Sequence, residues 1–259
     1  MVIQPIINNT LNYEQFSAIK KEILSNKDGM IDLSENNLYD FMNYDSFRTF
    51  YKEYDNNNYS YHMNGKVHRY HLVEDWLRLF KVDEHYKKNI GFSHGVKESL
   101  SIISSSDEFK NKKWLIPSDV YPVYQKILSK NLIPLAYYDT LISGYTPFYF
   151  NESSLSNNDV FREADVIIIT MPLKPSGISG SSNGLNNFYA LISNNPDKTF
   201  IIDSVYLSPH KDTITDNIPN NSGEDMFYLM SLFDLGNVFI LTSLSKNWSL
   251  PNIMGLSFI

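Results

Sequence analysis

The feature that most constrains the fold is an alternation of extended and helical segments, which begins near Asn89 and continues to the end of the sequence. Short apolar runs predict strands at residues 90–92, 114–116, 133–138, 166–170, 200–203, 238–241 and 255–259. Between them, apolar residues spaced by three and four predict helices at residues 96–104, 120–129, 185–193 and 224–233. This order predicts an α/β fold with a largely parallel, doubly wound sheet and right-handed crossovers.

The chain before this alternation has a weaker pattern. Near-helical spacing of apolar residues predicts a short amphipathic helix at 8–25 and a longer helix at 68–80. His68 and His71 share a face of the second helix, with His62 just before it. No carboxylate accompanies them at matching spacing, so we favour an exposed or interface face and predict no metal site.

Composition and charge exclude several classes of protein. With 259 residues, 42% of them hydrophobic, the chain is long enough for one large domain or a large domain with a small appendage. A net charge of −7 argues against a nucleic-acid partner and against an anionic membrane surface. No apolar run approaches the roughly 20 residues of a membrane span. The absence of cysteine and of a signal-like start predicts a cytoplasmic protein.

The residues most suggestive of chemistry follow the predicted strands. Lys246, which is preceded by Ser243 and Ser245, comes after the strand at 238–241. Ligands bind at this edge of open α/β sheets, and burial there favours a neutral amine that can condense with an aldehyde. Gly95 opens a helix whose free N–H groups favour an anion. Asp203 closes an apolar strand, where burying an unpaired carboxylate is costly, so it indicates a function.

Five short motifs together resemble, in order and spacing, the aspartate-aminotransferase family of fold type I pyridoxal-phosphate enzymes. They are a Gly turn at 95, Tyr-Pro-x-Tyr at 121–124, Pro-x-x-Pro-Ser-Gly at 172–177, Asp-x-x-Tyr at 203–206 and Ser-x-Ser-Lys at 243–246. Each motif alone is nonspecific. The resemblance implies a three-layer α/β/α sandwich with a mostly parallel seven-stranded sheet, which is the large domain of these transferases. It implies this domain at residues 36–259, preceded by an N-terminal arm and helix at residues 1–35.

The resemblance also implies how the cofactor, pyridoxal 5'-phosphate, is held. Lys246 is implied to carry it as a Schiff base and to shuttle the α-proton. Asp203 is implied to pair with the pyridine nitrogen, and Tyr206 to donate a hydrogen bond to the phenolic oxygen. Tyr121 is implied to stack on the ring.

The phosphate of the cofactor has its own implied ligands. These are the backbone groups of Gly95, Val96 and Lys97, with the hydroxyls of Ser243 and Ser245. Sites of this family lie at a dimer interface, so the resemblance also implies a homodimer. Either Tyr59 or Tyr61 is then implied to reach the neighbouring subunit's phosphate.

The sequence departs from the family at three places. Lys174 stands where the family usually has an asparagine on the phenolic oxygen; a cation there would stabilise that oxygen's anion or point into solvent. Met254 stands where an arginine commonly binds the phosphate, which removes a bidentate contact. The sequence stops at Ile259, about where the last, antiparallel strand is expected to end, so the C-terminal small domain and its carboxylate-binding arginine are expected to be absent.

Two interpretations of function remain open. The first is a pyridoxal-phosphate enzyme acting on an amino acid. An aminotransferase with amino acid and 2-oxo acid substrates is favoured, and a related lyase or decarboxylase is the alternative. The second is a truncated or degenerate relative that acts as a non-catalytic binding or scaffold protein. Retention of Asp203 and Lys246 favours the first, because a drifting relative has no reason to bury both. A nucleotide-binding domain is disfavoured, since no glycine-rich phosphate-loop signature follows a strand.

Overall fold

The computed structural model describes residues 73–78, 80–139, 141–142, 146–147, 159–172, 182–206, 226–243 and 255–258, together with 18–19 and 21–22. Residues 73–78 are helical, within the helix predicted at 68–80, and the four residues near position 20 are helical within the one predicted at 8–25. Phe80, at the end of the second predicted helix, lies in a turn, so the described helical residues end at 78. The remaining residues of both predicted helices lie outside the described residues.

A seven-stranded sheet forms the centre of the fold. Its strands are β1 (Ile90–Ser93), β2 (Trp114–Pro117), β3 (Leu135–Tyr138), β6 (Val166–Thr170), β7 (Thr199–Asp203), β8 (Val238–Ser243) and β9 (Gly255–Phe258). Across the sheet they lie in the order β3-β2-β6-β7-β8-β9-β1. Two short strands, β4 (Leu141–Ile142) and β5 (Thr146–Pro147), pair separately as an antiparallel hairpin.

Strand direction determines which strand ends lie together. The pairings from β3 through β2, β6 and β7 to β8 are all parallel. Strand β9 is antiparallel to both β8 and β1, so β1 runs in the same direction as the five parallel strands. The C-terminal ends of these six strands therefore lie on one side of the sheet, which we call the carboxyl edge.

Helices cover both faces of the sheet. They are a 3-10 helix (Glu84–Asn89), α1 (Val96–Ser105), α2 (Val123–Lys130), α3 (Asp159–Glu163), α4 (Ser182–Ser193) and α5 (Met226–Phe233). Helices α1 and α2 pack on one face through Leu100 and Leu128. Helices α4 and α5 pack on the other through Phe188 and Leu229.

Side chains alternate between these two layers along each buried strand. On β6, Val166 and Ile168 belong to the core beside α1 and α2, whereas Ile167 and Ile169 belong to the core beside α4 and α5. Strands buried on both faces have continuous apolar sequences, because no position faces water. The predicted three-layer α/β fold with a mostly parallel sheet is confirmed.

The predicted boundaries need correction at several elements. Strand β3 begins at Leu135 rather than at 133, because Pro134 has no N–H for a sheet, although its carbonyl accepts the Trp114 N–H at 2.9 Å. Helix α2 begins at Val123 rather than at 120, since Pro122 occupies the N-cap. Strand β8 continues to Ser243, so this serine lies within the strand rather than beyond it.

The 3-10 helix, α3 and the β4–β5 hairpin are short elements that the sequence pattern did not predict.

Within the described ranges, no helix is both long enough and apolar enough to cross a membrane. The same residues contain no group of three or more His, Asp or Glu side chains that could hold a metal ion. The histidines at 62, 68 and 71 lie outside these ranges.

Candidate functional site

The carboxyl edge brings several predicted site residues to one face of the sheet. Asp203 follows Ile201 by two residues, and Ser243 follows Leu241 by two. Both Ile201 and Leu241 belong to the core beside α1 and α2. Because strand side chains alternate between faces, Asp203 and Ser243 lie on that same face of the sheet, at its carboxyl edge.

Gly95 joins the end of β1 to the start of α1 at this edge. Its φ of 105° and ψ of 172° belong to a region that is essentially restricted to glycine. Its carbonyl accepts the N–H groups of Glu98 at 3.1 Å and Ser99 at 3.2 Å, which begin the helical hydrogen bonds. The N–H groups of Val96 and Lys97 precede these first bonds, so no carbonyl within the helix accepts them.

Gly95 and Ser243 meet across the sheet edge. A Cβ built on Gly95 would lie 3.9 Å from the Ser243 Oγ. Both residues are buried, and strand pairing explains their approach, because Ser93 and Ser243 are both in register with Gly255 of β9. A glycine turn, helix N–H groups and a hydroxyl therefore lie together at this edge, and we call this group the Gly95–Ser243 cradle.

Hydrogen bonds on both sides of Gly95 hold this turn. The Ser93 hydroxyl donates to the Gly95 carbonyl at 3.0 Å and lies 2.7 Å from the Ser99 hydroxyl. The Glu98 carboxylate accepts the His94 N–H at 2.5 Å. These supporting residues were not predicted from the sequence, although a glutamate three positions after an N-cap is a recognisable helix-start signal.

Asp203 is a buried carboxyl group at the end of β7, with 1% of its surface exposed. Burial raises its pKa to about 7, although the Val205 N–H, which donates to Oδ1 at 3.0 Å, opposes that shift. On the neighbouring strand its register partner is Thr170, which is fully buried. A carboxyl group in this environment is suited to pair with a cationic or proton-bearing group.

The two predicted tyrosines have different surroundings. Tyr121 lies just before α2 and is 42% exposed, so its ring is accessible to a ligand. The Lys97 Nζ lies 5.4 Å from the centroid of this ring. Tyr206, three residues after Asp203, is half-buried.

A buried lysine elsewhere in the fold has a structural role. Lys198 precedes β7, at the edge opposite to the carboxyl edge, and its side chain is buried. Its Nζ donates to the carbonyls of Arg162 at 3.0 Å and Ala164 at 2.7 Å. Lys198 thus satisfies the C-terminal carbonyls of α3 and is remote from the cradle.

Several predicted site residues lie outside the described residues. They are Lys246, Ser245, Lys174, Tyr59 and Tyr61, and the same holds for Met254. The structure thus brings Gly95, Val96, Ser243 and Asp203 to one edge and face, with Lys97 and Tyr121 in contact beside them.

Comparisons with solved structures identify the fold. A pyridoxal-phosphate-bound protein from Clostridium difficile is 16% identical, with a TM-score of 0.58. The histidinol-phosphate aminotransferase from Clostridium acetobutylicum is 18% identical, with a TM-score of 0.56. The pyridoxal-phosphate-bound C–S lyase from Staphylococcus hominis is 18% identical, with a TM-score of 0.53. No family model matches the sequence, and no curated protein matches it.

The alignments cover much of this chain but only part of the others. They include 82%, 80% and 74% of this chain, in the order given, and 52%, 55% and 48% of the solved chains. The chain therefore spans about half the length of the solved structures that it matches. At these identities the likeness concerns the fold.

Proposed function

We propose that this chain, which has the fold of the large domain of the fold type I pyridoxal-phosphate-dependent enzymes, binds pyridoxal 5'-phosphate at its carboxyl edge. The observation that carries the proposal is the position of the buried Asp203 carboxyl group on the same edge and face as the Gly95–Ser243 cradle. When bound, this cofactor accepts the electrons released when a bond to the α-carbon of an amino acid breaks.

The cradle suits the phosphate of the cofactor. The N–H groups of Val96 and Lys97 and the positive end of the α1 dipole favour an anion. The Ser243 hydroxyl adds a donor beside the glycine turn. Any side chain at position 95 would occupy the cradle, so the glycine is suited to close approach of a ligand. We propose that Ser245 adds a second hydroxyl to this set.

Asp203 suits the ring nitrogen of the cofactor. A carboxyl group with a pKa near 7 gives up its proton readily when a basic nitrogen lies beside it. A carboxylate paired with a protonated ring nitrogen keeps the ring electron-poor, so the ring can take up negative charge from the substrate. We propose that Tyr206 donates to the phenolic oxygen and that the accessible ring of Tyr121 stacks on the cofactor.

We propose that Lys246 links covalently to the cofactor through its ε-amine and moves the substrate's α-proton. Lys174 is proposed to lie near the phenolic oxygen, where its charge stabilises the anion. These assignments rest on the order and spacing of the sequence motifs.

For the whole protein we propose aminotransferase activity, with an amino acid and a 2-oxo acid as substrates. The likeness to the histidinol-phosphate aminotransferase supports this choice, and the likeness to the C–S lyase supports a lyase as the second candidate. We also propose a homodimer, in which Tyr59 or Tyr61 reaches the neighbouring subunit's phosphate site.

Lys246→Ala tests the covalent step. We expect the wild-type protein to turn yellow with pyridoxal phosphate, and borohydride to fix the cofactor on the peptide that contains Lys246. The variant has no amine at that position, so it is expected to lose the label. Absorbance spectra and peptide mass spectrometry measure both effects.

Lys130→Ala is the matched control, because Lys130 is an exposed lysine at the C-terminal end of α2. It should label as strongly as the wild type. Equal labelling of Lys246→Ala, or a wild type that stays colourless with excess cofactor, contradicts the proposal.

The choice between aminotransferase and lyase activity is tested on the yellow, cofactor-loaded protein. Transamination predicts that an amino acid bleaches the yellow colour and that a 2-oxo acid restores it. A lyase instead cleaves the substrate side chain and releases a small thiol or sulfide from a sulfur-containing amino acid. Product analysis by mass spectrometry separates the two candidates, and absence of both products removes the enzymatic part of the proposal.

A further inference from the structure

The side chain of Lys97 makes a contact that the proposed cofactor site does not yet use. Its ammonium lies 5.4 Å from the centroid of the Tyr121 ring. Lys97 is in the first turn of α1, and Tyr121 immediately precedes the N-cap of α2. The contact therefore joins the N-terminal ends of two neighbouring helices on the face of the sheet that carries Asp203.

The direction of this side chain is towards the cradle end of α1. Helix side chains lean towards the helix N-terminus, which for α1 is the carboxyl edge of the sheet. The next residue, Glu98, uses its carboxylate on the His94 N–H. Lys97 is exposed, so rotation of its side chain would not disturb the core. It thus provides a cation in the first turn of α1, two residues after Gly95.

The phosphate in the proposed site needs more positive charge than the cradle supplies. A phosphate monoester carries about −1.5 to −2 at neutral pH, whereas a helix N-terminus contributes roughly +0.5. Position 254, where the resemblance implies an arginine on the phosphate, is Met254. A further cation nearby would therefore bring the site closer to charge balance.

Building on the proposed function, we propose that the Lys97 side chain is the cationic ligand of the cofactor phosphate. Until the phosphate arrives, the ammonium rests on the Tyr121 ring. An exposed cation–π contact is weaker than a charge-assisted hydrogen bond to phosphate, so the ammonium transfers to the phosphate when the cofactor binds. The transfer frees the face of Tyr121 for the cofactor ring and makes the site selective for the phosphorylated form of pyridoxal.

Lys97→Met tests this role, with binding rather than turnover as the readout. We expect pyridoxal phosphate to bind about 10- to 100-fold more weakly, because one charged hydrogen bond is lost. Pyridoxal, which has no phosphate, is expected to bind as tightly as to the wild type or slightly more tightly. Lys97→Arg keeps the charge and is expected to stay within a few-fold of the wild type. Absorbance titrations at two salt concentrations give the dissociation constants, and the salt dependence should be smaller for Lys97→Met.

Lys130→Met is the matched control, since it removes an exposed lysine from the other end of the adjacent helix. It should leave both affinities unchanged, and melting curves verify that every variant is folded. The inference is overturned if Lys97→Met binds pyridoxal phosphate like the wild type, or if it weakens both ligands equally. In either case the wild type still binds the cofactor and the proposed function stands. A wild type that binds no pyridoxal phosphate refutes the proposed function itself.

Discussion

Asp203→Asn is expected to stabilise the cofactor-free protein at pH 8 while it slows the proposed chemistry. Burial raises the pKa of Asp203 from 3.8 to about 7. Between these pH values the folded protein keeps a proton that the unfolded chain has released. The free energy of unfolding therefore falls as pH rises through this window, by up to about 4 kcal/mol in total. Asparagine has the same shape and does not ionise, so the variant avoids this loss.

Urea unfolding of the cofactor-free proteins at pH 4.5, 6 and 8 measures the effect. Other titrating groups are common to both proteins, so their contributions largely cancel in the difference. The variant should gain stability relative to the wild type as pH rises. Asp197→Asn serves as the control, because Asp197 is exposed and lies near the opposite end of β7. If the difference in free energy of unfolding between wild type and Asp203→Asn does not change with pH, burial does not raise the pKa of Asp203.

The same substitution has the opposite consequence for the loaded protein. Asparagine cannot hold a proton on the ring nitrogen, so the ring takes up negative charge less well. We expect the rate of bleaching by an amino acid to fall about 100-fold or more, which is typical for loss of one preorganised electrostatic group. Covalent labelling of Lys246 should be partly retained. Rapid-mixing absorbance measurements under single-turnover conditions test this, and an unchanged rate would remove Asp203 from the proposed site.

Gly95→Ala is the second variant with a large expected effect, and it acts on the phosphate cradle. Alanine at a φ of 105° and a ψ of 172° is strained by about 1 to 3 kcal/mol. Relief of the strain moves the turn that orients the N–H groups of Val96 and Lys97. Since each charged hydrogen bond contributes about 1.5 to 3 kcal/mol, pyridoxal phosphate affinity should fall about 100-fold or more. Titration with the cofactor and a urea melt give both numbers.

Gly236→Ala separates backbone strain from damage to the site. Gly236 also has a positive φ, 83°, but a Cβ there would meet no atom within 4 Å among the described residues. It lies between α5 and β8, at the edge opposite to the cradle. This variant should lose stability but bind the cofactor normally. If both alanine variants bind equally well, the Gly95–Ser243 cradle is not the phosphate site.

Much of the fold was predictable because buried parallel strands leave a strong local signal. The run at 166–170 was predicted with the bounds that β6 has, since each of its side chains is buried. The predicted starts of α2, near Pro122, and of β3, near Pro134, were less accurate. Proline has no N–H to donate, and only the tertiary structure decides whether its carbonyl accepts a hydrogen bond from a neighbouring strand, as the Pro134 carbonyl does. The order of strands had no local signal. Nothing in the sequence of β1 shows that it pairs with β9 at the far side of the sheet.

The sequence by itself determined the types of chemical group at the strand ends, because residue identity and local periodicity are local properties. It determined a glycine at position 95, a carboxyl group at 203 and a hydroxyl at 243, each at or next to the end of a strand. Only the tertiary structure decided that Gly95 and Ser243 meet, since β9 must pair with both of their strands. It also decided that burial raises the pKa of Asp203, because desolvation depends on the layers that surround a side chain.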